Sequence, residues 1–115
     1  MRLRMLIIAG MAGFVGLSVA ASPASAETLQ EQAELWGALH GAAIHCGRRD
    51  SDEFGRAAMD YFKRRAGSTA EFDRLRDIYG LTVIRTAGSS PSRAVGGSCY
   101  GFSDKYQAVW NLLRR

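Results

Sequence analysis

The sequence predicts an all-α fold, in which four helices form one small domain that carries one disulfide and follows a cleaved signal peptide. Three observations lead to this prediction. Capping signals for helix starts recur along the chain, apolar residues repeat at intervals of three and four, and two cysteines follow an export signal. Residues 81–84 have a strand-like composition, but no second segment offers them a partner strand.

Residues 1–26 have the composition of a secretory signal peptide. Two arginines provide a positive start, residues 5–21 form an apolar run, and Ala-Ser-Ala at residues 24–26 matches a small-x-small cleavage site. We therefore expect export to the periplasm or the medium, with cleavage after Ala26. An uncleaved N-terminal anchor is the alternative reading of the same apolar run.

The predicted mature domain, residues 27–115, is small and only slightly basic. It holds 13 of the 15 Lys and Arg residues against 11 Asp and Glu, which gives a net charge near +2. A nucleic-acid binder usually carries a concentrated basic stripe. The one basic cluster, residues 63–65, lies where the C-terminal end of a helix favours positive charge. We expect no nucleic-acid partner and no integral membrane segment after cleavage.

Three residue pairs have the spacing of capping boxes, in which a side-chain acceptor stands three residues before a Glu. They are Thr28 with Glu31, Asp50 with Glu53, and Ser68 with Glu71. The first three helices are accordingly predicted over about residues 29–46, 52–66 and 70–86. Gly47 and Gly67 stand where the first two should end, because glycine accepts the left-handed conformation. Ser103-Asp104 predicts the start of a fourth helix over about residues 104–114.

Apolar residues at helical spacing predict which face of each helix is buried. In chain order they are Leu29, Trp36, Leu39, Ala43 and Cys46; Phe54, Ala57, Ala58, Tyr61 and Phe62; Phe72, Leu75, Ile78, Tyr79 and Val83; and Tyr106, Val109, Trp110 and Leu113. Gly80 weakens the middle of the third helix by about 1 kcal/mol relative to Ala.

Residues 87–102 form a long connection rich in Gly and Ser. Connections of this length are uncommon in compact domains unless they are functional or mobile, and the sequence leaves both readings open. Arg93, Tyr100 and Phe102 are the candidate residues for binding a partner. The two aromatic side chains are also candidates for the core.

Cys99 has two possible roles. Residues 97–103 resemble the segment that carries the nucleophilic cysteine of papain-type proteases, where a helix N-terminus stabilises the thiolate. Those enzymes need a His and an Asn far beyond the cysteine, whereas His40 and His45 both precede Cys99. We therefore predict a Cys46–Cys99 disulfide, as exported chains with two cysteines normally form. Closing this loop of 53 residues should stabilise the fold by about 4 kcal/mol.

No metal or cofactor site is predicted. His40 and His45 are five residues apart on one helix, about 140° around its axis, so they cannot face one ion. We expect His40 to pack near Trp36 and Ile44, and His45 to face water. Residues 50–61 begin like an EF-hand loop but lack oxygen ligands where calcium needs them.

The segment Glu34-Leu35-Trp36-Gly37-Ala38-Leu39-His40, followed by Cys46-Gly47, is similar to a family of small exported alphaproteobacterial proteins. That family carries a Leu-Gly-x-Leu-His segment and then Cys-Gly, and the resemblance covers about fourteen residues. The family has no established activity, so the resemblance implies only a small exported protein. In its general plan the chain also resembles periplasmic acid-stress chaperones, which are small, helical and carry one disulfide.

The functional expectation is a non-enzymatic protein that binds another protein, as an adaptor, an inhibitor or a chaperone. The alternative is a thiol enzyme or redox protein that uses Cys99.

Overall fold

The structure is a computed structural model, and it describes residues 27–115. The predicted signal peptide, residues 1–26, lies outside the described residues. Within the described range the helices are α1 (Leu29–His45), α2 (Ser51–Arg65), α3 (Thr69–Ala87) and α4 (Cys99–Leu113), with a short 3-10 helix (Arg93–Val95) before α4. This part of the chain contains no strand, so the predicted all-α fold is confirmed. None of these helices is long and apolar enough to cross a membrane.

The N-termini of α1 and α3 are capped largely as predicted. The Thr28 hydroxyl accepts from the backbone N–H of Glu31, and the Glu31 carboxylate accepts from the backbone N–H of Thr28. These hydrogen bonds lower the pKa of Glu31. Ser68 accepts from the N–H of Glu71, but the Glu71 carboxylate accepts from the N–H of Gly67 instead of that of Ser68.

Three local predictions are wrong. Asp50 makes no side-chain capping bond at the start of α2. Gly67 does not adopt a left-handed conformation, because the C-cap of α2 is Ala66, whose backbone is extended; Gly47 does adopt it, at φ 76°. Helix α4 begins at Cys99 instead of residue 104, with Ser98 as the N-cap that accepts from the N–H of Gly101.

Helices α1 and α3 run parallel and approach each other closely. Gln30 near the start of α1 accepts a hydrogen bond from Arg74, while Gly41 near its end packs against Thr86. A Cβ atom on Gly37 would lie 2.7 Å from a backbone oxygen of α3, and one on Gly41 would collide with the Thr86 hydroxyl. The two glycines are therefore required for this helix pair to pack at its observed separation.

The core is rich in aromatic side chains and includes most of the predicted apolar faces. Phe54 of α2 stacks on Tyr106 of α4 with ring centroids 4.6 Å apart, and Trp36 of α1 packs edge-on against Tyr61 at 4.8 Å. Such pairs contribute about 0.5–1.5 kcal/mol beyond their buried area. The buried residues are Ala33, Trp36, Leu39, Ala42, Ala43, Phe54, Ala58, Phe62, Leu75, Tyr79, Val95, Phe102, Tyr106 and Trp110.

The connection between α3 and α4 is shorter and more ordered than the sequence suggested. Pro91 and Val95 are buried, and Val95 belongs to the core. Gly96 has φ 111° and lies against the backbone of Gly101, so closely that an added Cβ would clash with it. The segment is therefore packed onto the first turn of α4 and is not a structureless linker.

Candidate functional site

The predicted disulfide is confirmed. Cys46 is the C-cap of α1 and Cys99 is the first residue of α4, and their Cα atoms lie 5.6 Å apart. The bridge therefore joins the end of one helix to the start of another across 53 residues of sequence. Cys99 is exposed, whereas Cys46 is half-buried.

Asp50 has a long-range role that the sequence did not reveal. Its Oδ1 accepts a hydrogen bond from the Tyr106 hydroxyl at 2.9 Å, and its Oδ2 accepts one from the Trp110 indole N–H at 3.0 Å. The Arg48 guanidinium lies 3.5 Å from Oδ2. Burial alone would raise the pKa of Asp50, but these hydrogen bonds and the arginine outweigh burial and lower it. The carboxylate thereby holds α4 to the start of α2.

Tyr106 is held as a hydrogen-bond donor in this network. Burial, and then its hydrogen bond to Asp50, raises the pKa of the phenol, so the hydroxyl stays protonated. The Arg48 guanidinium also lies over the Tyr106 ring, 4.8 Å from its centroid. Each contact of this network joins two side chains of the described domain, and together they tie α4 to the start of α2.

A groove lies between α2 and α3, with His40 of α1 at its floor. Its volume is about 560 Å³, within the range of small-molecule and peptide sites, and most of its lining is apolar. The floor and walls are formed by side chains and backbone from three helices: His40, Asp52, Gly55, Arg56, Met59, Asp60, Arg76, Tyr79 and Gly80. The groove is open along one side.

His40 and Tyr79 form a hydrogen-bonded pair at this floor. The Nδ1 atom of His40 lies 2.7 Å from the Tyr79 hydroxyl, which has no other side-chain partner within residues 27–115. Because a buried O–H donor is nearly always satisfied, we assign Tyr79 as the donor to Nδ1, and this assignment places the imidazole proton on Nε2. Burial lowers the pKa of His40, and the negative charge of Asp52 offsets part of this shift. The lowered pKa favours the neutral ring. Burial also raises the pKa of Tyr79.

The surroundings of His40 include two aromatic rings that the sequence did not indicate. The imidazole meets Tyr79 and Phe54, with centroids 5.6 and 6.3 Å away, while its packing near Trp36 and Ile44 stays a prediction. Gly55 makes room for it, because a Cβ there would lie 2.7 Å from the imidazole. His45 is exposed, as expected.

The three candidate binding residues do not form one surface. Arg93 is exposed at the 3-10 helix, and Tyr100 is 93% exposed on the first turn of α4. Phe102 is buried, with its ring centroid 5.3 Å from that of Tyr106, so of the two roles predicted for it the structure shows the core role, whereas the exposed Tyr100 is not part of the core. Because α4 begins at Cys99, residue 102 lies one turn before Tyr106 on the buried face.

The outer face of α3 exposes apolar side chains for which the sequence predicted no role. Leu81 is 57% exposed and Ile84 is 76% exposed, although both are large and apolar. The exposed polar residues Arg74, Asp77 and Arg85 lie on the same helix. The sequence signal for this surface was the strand-like run at residues 81–84. Its apolar residues follow one another closely in sequence, so they cannot all lie on one buried face of a helix.

Within residues 27–115, no three His, Cys, Asp or Glu side chains lie together in a way that could hold a metal ion. Comparison of the chain with protein-family models, curated proteins and solved structures gave no match.

Proposed function

We propose that this chain is a non-enzymatic protein of the periplasm, or a secreted one, that acts by binding another protein. The observation that carries the proposal is the exposed apolar pair on α3. Leu81 and Ile84 are three residues apart, so they lie side by side on one helix face. Single exposed apolar residues are ordinary, but adjacent ones rimmed by charged residues have the composition of a binding surface.

The energetics support a partner at this face. Covering a side chain such as Leu or Ile completely contributes about 1.5–3 kcal/mol, and both residues are more than half exposed. A partner that covered them would therefore gain affinity without disturbing the core, which lies on the opposite side of α3. The charged residues Asp77 and Arg85 would then stand at the rim and orient the partner.

The disulfide supports an oxidising compartment. Disulfides form and persist in the periplasm and outside the cell, and they are rare in the reducing cytosol. Export with cleavage after Ala26 remains a prediction, which the intact mass of the exported protein tests. A mature chain that begins at Glu27 is expected, and a membrane-bound form that retains residues 1–26 would contradict it.

The experiment is site-specific photo-crosslinking in the exported protein. A benzoylphenylalanine is placed at Ile84, and in a control chain it is placed at the exposed residue Ala108 of α4. The expected result is one discrete cross-linked species from position 84 that is absent from position 108. Adding Leu81→Asp to the first chain should reduce that species. Equal cross-linking from both positions, or none from either, would contradict the proposal.

A second candidate function, a thiol–disulfide redox protein, is favoured by one observation. Cys99 is exposed in the first turn of α4, where unpaired backbone N–H groups stabilise a thiolate. Its test is the reduction potential of the Cys46–Cys99 pair, measured by equilibration with glutathione. A structural disulfide lies below about −300 mV, whereas catalytic pairs lie near −120 to about −270 mV. A value in the catalytic range would favour this candidate over the first.

A further inference from the structure

Gly80 has no role in the packing of the described chain. It lies in the middle of α3, where glycine costs about 1 kcal/mol relative to alanine. Its backbone is not left-handed, and an added Cβ would meet no atom within 4 Å. Gly37, Gly41 and Gly55 differ, because each faces a neighbour that excludes a side chain. The space at Gly80 belongs to the groove between α2 and α3.

The floor of the groove offers one hydrogen-bond donor. With Tyr79 assigned as the donor to Nδ1 of His40, the imidazole proton lies on Nε2. Within residues 27–115, Nε2 has no hydrogen-bond partner. A ligand that reached this floor could therefore place an acceptor, such as a carbonyl oxygen, against His40.

The wall formed by α2 carries an excess of negative charge. Asp52, Arg56 and Asp60 are exposed at successive turns, and none of them makes an ion pair within the described residues. Arg76 on the opposite wall is already neutralised by Asp73 and Asp77, at 3.4 and 4.0 Å. The unpaired charges of the groove therefore sum to about −1, although the domain as a whole is basic.

We propose that this groove binds a short apolar peptide that carries a positive charge beside its apolar side chains. The apolar side chains occupy the space between Met59 and Gly80, a peptide carbonyl accepts from His40 Nε2, and the cationic group lies against Asp52 and Asp60. The required chemistry is an apolar body, an acceptor and a cation, which a short peptide with a free N-terminal amine offers. Neither Leu81 nor Ile84 lines the groove, although Gly80 stands one turn before Ile84 on α3, and the site does not depend on the partner proposed for them.

The test is a titration of the ¹⁵N-labelled mature protein with the dipeptide amide Phe-Leu-NH₂, followed by two-dimensional NMR. Saturable shifts are expected for the backbone amides of Gly55 and Gly80. N-acetylation of the peptide removes its charge and should weaken binding by up to about fivefold. The double variant Asp52→Asn, Asp60→Asn should weaken binding of the charged peptide similarly, and should then bind both peptides equally. Equal affinities of both peptides for the unmodified protein would overturn the proposed charge recognition.

A matched pair of glycine variants tests the location. Gly80→Leu places a side chain in the groove and should weaken binding more than tenfold, while the midpoint of thermal unfolding stays the same or rises. Gly88→Leu is the control, because Gly88 also has open space around it but does not line the groove. It should leave the affinity unchanged. Equal binding by both variants, or shifts centred on residues outside the groove, would overturn the proposal.

Two further measurements complete the test. The first asks whether a short peptide is sufficient, and the second asks whether this groove is distinct from the α3 surface. Saturation by Phe-Leu-NH₂ itself shows that a free peptide is sufficient. If only a longer peptide with the same N-terminus saturates the shifts, the proposal of a short peptide is overturned. Leu81→Asp should reduce cross-linking from position 84 and leave peptide binding unchanged. Loss of peptide binding in that variant would overturn the separation of the two sites.

Discussion

Replacement of Asp50 by alanine should strongly destabilise the domain, although Asp50 is not part of the apolar core. Its carboxylate accepts hydrogen bonds from Tyr106 and Trp110, which are both buried in α4. A hydrogen bond to a charged group contributes about 1.5–3 kcal/mol, and a buried donor left without a partner costs about 1–3 kcal/mol. The change removes the acceptor of two such bonds at once.

The size of the effect depends on how well water replaces the carboxylate. The Asp50 side chain is 28% exposed, so water reaches this position and takes up part of the lost hydrogen bonding. Two bonds at the lower end of the range give a loss of about 3 kcal/mol for Asp50→Ala. Asp50→Asn should lose about 1–2 kcal/mol, because the amide oxygen still accepts one bond. Domains of this kind have total stabilities of only about 5–15 kcal/mol.

The assay is urea unfolding of the mature, oxidised protein, followed by tryptophan fluorescence and circular dichroism. Asp104→Ala is the matched control, since Asp104 is an exposed aspartate of α4, and it should change the free energy of unfolding by less than about 0.5 kcal/mol. If Asp50→Ala lost no more than this control, Asp50 would not hold α4 in place.

The pH dependence gives a second measure of the same interaction. Because the pKa of Asp50 is lowered in the folded state, its contribution is complete above the ordinary carboxyl pKa near about 4 and is lost as the pH falls through the lower folded value. In this acid range the native chain should therefore lose the stability that its Asp50 carboxylate provides. Asp50→Ala lacks the carboxylate at every pH, so its stability should fall less over the same range. Identical acid dependence in both proteins would contradict the assignment.

Three further predictions concern stability. Cys46→Ser and Cys99→Ser should each cost about 2–5 kcal/mol and the double variant little more, measured by urea unfolding; two reactive thiols in the unreduced protein would contradict the bridge. Gly41→Ala should lower the midpoint of thermal unfolding, because its methyl group clashes with α3, whereas Gly80→Ala should raise the stability by up to about 1 kcal/mol. The reverse order would contradict the close packing at Gly41 and the open space at Gly80. Because burial lowers the pKa of His40, the free energy of unfolding should fall as the pH drops from about 6.5 through the folded pKa, and His40→Gln should not show this fall.

The helices that could be predicted are those whose signals are local. Thr28 and Ser68 cap the helices that follow them, and the apolar spacing identified most of the buried side chains. The start of α4 was missed because residues 96–101 contain three glycines, which disfavour a helix intrinsically. The bridge at Cys99 and the burial of Phe102 fix this turn through tertiary contacts, which override the local preference.

Features that join distant parts of the chain could not be predicted from spacing. Asp50 stands three residues before a Glu and therefore has the pattern of a cap, yet its partners are 56 and 60 residues away. The groove is likewise formed by three helices. Its only local signals were two glycines inside predicted helices, Gly55 and Gly80, each at a position where glycine weakens a helix.

The two ties that hold α4 lie apart from the surfaces proposed for binding. Helix α4 is held by two long-range ties, the disulfide at its first residue and the Asp50 hydrogen bonds further along. Helix α3 is held to α1 through Gly37 and Gly41, and it contributes Gly80 to the groove and Leu81 to the exposed apolar face. Substitutions at the ties of α4 should therefore lower stability, whereas surface substitutions on α3 should change binding at nearly constant stability. If Leu81→Asp lowered the free energy of unfolding as much as Asp50→Ala, its loss of cross-linking would reflect unfolding, and the exposed face of α3 would no longer support a partner.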